Sequence, residues 1–357
     1  MQRLLSSWIW IAPIAGALCL ALGAVVSVPA ALLGVVLVAN VLASVHHAEL
    51  IAHRVGEPYG SFLLALAVTV IDVGLIVTLM LQGGPNSATL ASDTVFAAVM
   101  IILNGLVGAC ILIGALRHHE QTFQQSGVSA SLATLSTLTV LTLVLPNFAI
   151  SERGPYYAPE QLAFVAIVSL LLYLTFVSVQ TVRHRDYFLP PAAEAASEDA
   201  HAEPPSTRTA SISAVLLMVS LVGVVLLAKA LAPTIEQAVD DAGAPPAIVG
   251  VLIAGLVLLP ESVAAVRAAL AHRLQTSLNL ALGSALATIG LTIPAVAVLS
   301  LVADLPLALG LDPREVVLLG LTLLVATSSL ATGRTTVLQG MVHLVIFGVF
   351  LFTTVMP

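Results

Sequence analysis

Two acidic residues stand where a chain of this kind has least use for charge. Asp72 lies in Leu66-Ala67-Val68-Thr69-Val70-Ile71-Asp72-Val73-Gly74, and Glu261 in Gly255-Leu256-Val257-Leu258-Leu259-Pro260-Glu261-Ser262-Val263, both inside long apolar runs. The other carboxylates among the 19 fall in polar connections or near the ends of such runs. At mid-bilayer a charge costs at least ~2.5–3.5 kcal/mol, so residues of this kind face a bundle interior or an aqueous cavity and mark an ion or proton path. The alternative is a protonated carboxyl bonded to a neighbouring helix. Carboxylates also suit hard cations, which take oxygen ligands. Pro260 removes one helical hydrogen bond, which either kinks its helix or frees a carbonyl beside Glu261. Thr69 stands one turn before Asp72. Asn104, in Leu103-Asn104-Gly105-Leu106-Val107-Gly108, and Ser284 and Thr288, in Leu282-Gly283-Ser284-Ala285-Leu286-Ala287-Thr288, add further oxygens. These three are either ligands or interhelical hydrogen bonds, and the glycines near them let helices approach closely.

Such groups need a membrane scaffold, and the composition supplies one. The chain has 357 residues, 59% hydrophobic and 9% charged, with a mean hydropathy of +1.07. Soluble domains carry ~25% charged residues, so a water-soluble enzyme is excluded. The net charge is −7 and no Lys/Arg run occurs, which excludes nucleic acid as a partner. Cys19 and Cys110 both sit in apolar stretches, so neither a disulfide framework nor a cysteine zinc site is expected. No cofactor is implied, and the partners are membrane lipid and whatever ions are carried; the oligomeric state is left open.

A spanning helix needs ~20 apolar residues, with every backbone polar group satisfied inside it. Eleven such runs occur, at 8–28, 29–45, 60–82, 93–116, 128–149, 160–182, 211–232, 246–270, 277–302, 314–331 and 336–356. Pro29, Pro58, Gly83-Gly84-Pro85 and Pro245-Pro246 punctuate them. Only Arg3 precedes the first run, which is long for a secretory leader and is expected to be a retained helix. Residues 183–210 carry Glu194, Glu198, Asp199, His201 and Glu203 among Pro, Ala and Ser, a composition that cannot bury a core and reads as a solvated tether. The expected architecture is an all-α polytopic membrane protein. It has a leading helix at 1–28, a first five-helix repeat at 29–182, an acidic cytoplasmic linker at 183–210 and a second repeat at 211–357.

Eleven crossings place Arg3, Arg54, Arg117, Arg183, Arg185, Arg208, Arg267, Arg273 and Arg334 on one side, and Arg153, Lys229 and Arg314 on the other. By the positive-inside rule the first side, with the N-terminus, is cytoplasmic and the C-terminus lies outside. Five is odd, so the second set of five enters from the opposite side and the two sets form an inverted repeat. Each mid-membrane acid falls on the second helix of its set. Among other titratable groups, His46, His47 and Glu49 sit near the end of the second span, as a proton relay or pH sensor or as solvated interface residues. His343, inside the last span, is either on a proton path or bonded to a neighbouring helix.

At these residues the sequence resembles the cation/calcium exchanger superfamily, most closely its bacterial ChaA-type branch of calcium or sodium–potassium/proton antiporters. His47-Ala48-Glu49-Leu50-Ile51-Ala52-His53-Arg54-Val55-Gly56-Glu57-Pro58-Tyr59-Gly60-Ser61 is similar to the lead-in to a first alpha-repeat. Leu259-Pro260-Glu261 through Asn279-Leu280-Ala281-Leu282-Gly283-Ser284 is similar to the second, and Thr332-Gly333-Arg334-Thr335-Thr336-Val337-Leu338-Gln339-Gly340 to a late signature. The resemblance implies secondary active export of Ca2+ and/or Na+/K+ in exchange for H+ by alternating access, in a bacterial inner membrane. It further implies that Asp72 and Glu261 bind the cation at one shared site. Val68-Thr69 and Val257-Leu258 replace the family's Gly-Asn before each acid, which leaves a monovalent cation open beside calcium.

Two other classes fit less. An intramembrane zinc protease needs His-Glu-x-x-His, which is absent, and a serine enzyme built on Ser284 and His343 leaves both acids without a task. A cation channel builds its filter by subunit symmetry, whereas this chain carries its symmetry internally. Replacing the 183–210 linker by a Gly/Ser segment is expected to leave the cation dependence of transport unchanged in vesicles; a shifted dependence would identify the acidic linker as a cation sensor.

Overall fold

The computed structural model describes residues 2–23, 28–55, 59–82, 88–189, 205–243, 245 and 247–356. Among the described residues, each of the eleven apolar runs is helical over most of its length. The helices are α1 (Gln2–Gly23), α2 (Ala30–Val55), α3 (Tyr59–Gln82), α4 (Leu90–His118), α5 (Gln125–Phe148), α6 (Pro159–Arg183) and α7 (Thr207–Asp241). They continue with α8 (Ala247–Val257), α9 (Leu259–Leu270), α10 (Leu274–Ala303), α11 (Pro313–Leu330) and α12 (Val337–Val355). Among the described residues, eight of these are long and apolar enough to cross a bilayer alone. The pair α8–α9 qualifies as one span bent by 57°, and α1 and α3 hold the shorter apolar stretches Trp8–Gly23 and Thr69–Thr78. The acidic residues of the linker lie outside the described residues.

Two ends differ from the sequence reading. Helix α2 runs to Val55, ten residues past the expected 45, and α7 runs to Asp241 through Pro233. Hydropathy reads the polar His46-His47-Ala48-Glu49 and the acids after Pro233 as stops, but a helix satisfies its own backbone and continues wherever its side chains find polar or wet surroundings.

The chain divides into two compact units that cut across its halves: 1–87 with 200–249, and 88–199 with 250–357. In the first unit, α2 packs on α7, α1 and α3, and α7 also packs on α1 and α3.

The second unit shows the inverted repeat directly. Helices α4–α6 correspond in order to α10–α12. Helix α4 packs on α12, its counterpart α10 packs on α6, and α4 and α10 pack on each other. The connection α4–α5 carries β1 (Gln121–Thr122), which pairs antiparallel with β2 (Arg334–Thr335) in the connection α11–α12. At the other end of the helices, Tyr156 in the connection α5–α6 bridges antiparallel to Ala308 in α10–α11. Exchanging the two helix triplets turns one clasp into the other, as a two-fold axis in the membrane plane requires. Tyr157 anchors the second clasp by donating to the Leu141 carbonyl at 2.6 Å, and burial pushes its phenol up to about 12, so it stays a donor. Helices α4 and α10 also both contain a π-helical segment, Ile101–Leu106 and Thr288–Thr292.

Glycines set these close approaches. A Cβ on Gly340 would lie 2.6 Å from the backbone nitrogen of Leu112, and one on Gly290 would lie 2.6 Å from Tyr173 Cβ. Gly283 faces open space. Gly340→Ala and Gly290→Ala are therefore expected to cost about 1–3 kcal/mol by overpacking. Gly283→Ala is expected to gain about 0.5–1 kcal/mol from helix propensity. Thermal unfolding in detergent reads the opposite signs.

Candidate cation and proton sites

Glu261 sits at the break between α8 and α9. Leu258 caps α9, so Pro260 and Glu261 fall in its first turn, where proline is tolerated because its missing N–H would be unpaired anyway. Across the break, the Leu258 amide still donates to the Ala254 carbonyl (3.0 Å) and the Ser262 amide to Leu258 (2.9 Å). Pro260 has no N–H to give the Leu256 carbonyl, four residues back. Glu261, 8% exposed, thus occupies the positive end of one half-helix, which favours a carboxylate. The carbonyl end of the other half-helix lies next to it in sequence. Half-helix N-termini facing anions and unwound carbonyls facing cations are how discontinuous spans build ion sites. The 57° bend at this break agrees with the reading of Pro260 as a kink.

Asn104 and His343 come together. In the π-helical segment of α4, buried Asn104 donates from Nδ2 to Thr322 Oγ1 on α11 at 2.9 Å, and its Oδ1 lies 3.2 Å from His343 Nδ1 on α12. His343 Nε2 lies 2.9 Å from Ser329 Oγ on α11, and Thr322 Oγ1 reaches Met100 Sδ at 3.4 Å. One tautomer satisfies every member: His343 donates from Nδ1 to Asn104 and accepts at Nε2 from Ser329. The asparagine oxygen is thereby engaged in an interhelical bond. Ser284 on α10 differs, since its buried hydroxyl makes no hydrogen bond among the described residues. Thr288, one turn on, opens the π-helical segment of α10 and is buried.

In the first unit, Asp72 lies on α3 with buried Thr69 one turn before it. His47 on α2 is wholly buried, its Nδ1 is 3.3 Å from Ser213 Oγ on α7, and its ring meets Trp10 of α1 edge-on with centroids 5.0 Å apart. His46 is half-buried and Glu49 exposed. Among the described residues no three His, Cys, Asp or Glu side chains gather into a metal-holding group.

The sequence reading missed Thr322 and Ser329. Their spacing of seven, which puts both on one face of α11, is the only signal. It is weak because neighbouring hydroxyls bond within their own helix: Thr327 donates to Leu323 and Ser328 to Leu324.

Comparison with known proteins finds that the family described as "Sodium/calcium exchanger protein" matches residues 3–182 and 212–356. The "Putative ionic transporter y4hA" of Sinorhizobium fredii is 49% identical over 98% of this chain and 96% of its own length. The "Sodium-potassium/proton antiporter ChaA" of Escherichia coli is 34% identical over 90% of this chain and 87% of its own. Among solved structures, the H+/Ca2+ exchanger CAX aligns with a TM-score of 0.76 at 17% identity, over 98% of this chain and 87% of that one. Native YfkE aligns with 0.75 at 16% identity, over 98% and 100%.

The Asn104–His343 pair is testable by a double-mutant cycle. Asn104→Leu or His343→Phe alone strands a buried partner and is expected to cost about 1–3 kcal/mol. The double variant should cost less than the sum, a coupling of about 0.5–3 kcal/mol, in thermal unfolding of the detergent-solubilised protein.

Proposed function

The chain belongs to the sodium/calcium exchanger protein family, and from that premise we propose that this multi-pass membrane protein is a secondary active cation/proton antiporter. It exports Ca2+ and/or Na+/K+ across a bacterial inner membrane, driven by an inward proton gradient. The relatives named as antiporters support this reading. The observation that carries it is Glu261, buried in the first turn of α9 at a broken span.

A carboxylate so placed is costly when ionised and empty, because desolvation favours its neutral form. A proton or a cation neutralises it, and the two compete. The unloaded, charged form is the state that the membrane opposes, so rearrangement between inward- and outward-facing forms is slow unless one of the two is bound. That penalty links the opposed fluxes. Asp72 on α3 is the corresponding acid of the first repeat and exchanges its load the same way. Ser284 and Thr69 offer neutral oxygens. The N-terminus is cytoplasmic and the C-terminus outside, as the Arg distribution supports. His47 serves proton movement rather than cation binding, and His343 ties α12 to α4 and α11.

Asp72→Asn and Glu261→Gln keep shape and remove charge. Each is expected to abolish cation-driven proton movement in proteoliposomes, and wild-type exchange should weaken as pH falls, because protons then occupy the carboxylates. Normal exchange by either variant would refute the assignment. Flux that neither saturates nor requires a counter-ion gradient would identify a channel instead.

A further inference from the structure

The first unit buries a line of polar groups that cation binding does not use. On α2, Asn40, Ser44 and His47 recur at the spacing of one helix face, and all three are buried. Facing them on α7 are Ser213 and Ser220, both wholly buried, with Gly223 one turn further on. His47 meets Ser213, and a Cβ on Gly223 would lie 3.3 Å from Asn40 Oδ1, so the two helices run antiparallel with Ser220 between those contacts. Helix α1 closes the third side: Asn40 Nδ2 donates to the Ala12 carbonyl at 3.1 Å, and Gly16 makes room for the amide.

Some of this line is satisfied and some is not. Asn40 Nδ2 has two carbonyl acceptors, Ala12 and Val36, and Ser44 donates to the Val41 carbonyl at 2.7 Å. Asn40 Oδ1 and Ser220 Oγ are buried and accept or donate no hydrogen bond among the described residues. His47 Nε2 is likewise buried without an aligned partner, although the Ile9 carbonyl stands beside the ring. Groups of this kind in a folded protein are met by water, which needs two to four polar partners.

The line has a direction. His47 lies two turns from the cytoplasmic end of α2, and Asn40 lies seven residues deeper, about 10 Å along the helix. At the inner end, Gly74 of α3 packs against Val225 of α7, where a Cβ would come within 2.6 Å of Val225 Cγ2. Val225 is two residues from Gly223, and Gly74 is two residues from Asp72.

We propose that the α1–α2–α7 junction is a hydrated seam that carries protons between the cytoplasmic side and the level of Asp72, with His47 as its relay. A proton arriving from water binds His47 Nε2, the Nδ1 proton passes to Ser213 Oγ, and the serine's own proton passes to the next water of the seam. The ring ends neutral and no other reactant is consumed. His46, with its ring centroid 6.0 Å from that of His47, is the titratable neighbour on α2; Trp10 and Ser213 are what α1 and α7 present. The inference rests on the antiporter reading for its purpose, but the hydration stands on geometry alone.

Two measurements separate these. In a chain with Cys19→Ala and Cys110→Ala, Ser220→Cys in inverted vesicles should be blocked by silver ion against later alkylation in detergent. Leu135→Cys, wholly buried on α5, should not be blocked. Full alkylation at Ser220→Cys, or blocking at both positions, overturns the seam. Next, His47→Phe and Asn40→Leu should lower the ratio of cation/proton exchange to isotopic cation self-exchange about tenfold, since only the former needs protons. An unchanged ratio overturns the relay. A wild type that moves no cation overturns the antiporter reading, while the silver result still decides the seam.

Discussion

A polar group in hydrocarbon must find a partner or give up its charge, and the internal organisation of this protein follows from that rule. Glu261 stands in the first turn of a half-helix at a broken span. A broken span turns two half-helix ends toward the same stretch of chain, one positive and one negative. A continuous helix would hide both sets of dipoles in its own hydrogen bonds. At Asn104 the partners are side chains from two further helices, and every member of the network is satisfied. The two places are therefore suited to different work. The first is the proposed place of exchange, and the second ties α4, α11 and α12 together.

The same rule separates the hydroxyls. Many Ser and Thr residues in the spans return their proton to a carbonyl one turn back, as Thr134, Thr137, Thr142 and Thr175 do. Ser213, Ser220 and Ser284 do not. Their shared feature is burial against another helix, where the local carbonyl is not their choice of partner.

Much of the architecture was legible from composition and spacing. Eleven apolar runs, the odd number in each half and the two isolated acids lead to the inverted repeat without any structure. What hydropathy misplaced were the ends of α2 and α7, because polarity near a span's end does not tell whether the helix stops or projects. Asn104 and His343 were each singled out, but not their pairing, which depends on a two-fold relation bringing residues 239 positions apart into contact. Thr322 and Ser329 were invisible, since a hydroxyl inside a span carries no information until its neighbours are known. The seam was partly visible: His47 stood out, yet Asn40 and Ser44 carry no charge, and their alignment with His47 emerges only once α2 is known to continue past residue 45.

The two clasps between connecting loops bear on how the chain is made. Gln121 waits for Thr335 and Tyr156 for Ala308, partners that leave the ribosome long after the first loops have been threaded into the bilayer. Until those partners are made, α4–α6 lie in the lipid with both ends unfastened and the amide groups at the β1 position unpaired. Such late closure between distant segments is slow and leaves early helices open to wrong neighbours. A nascent chain halted at the linker would hold neither fastening, which makes it a natural substrate for membrane quality-control proteases.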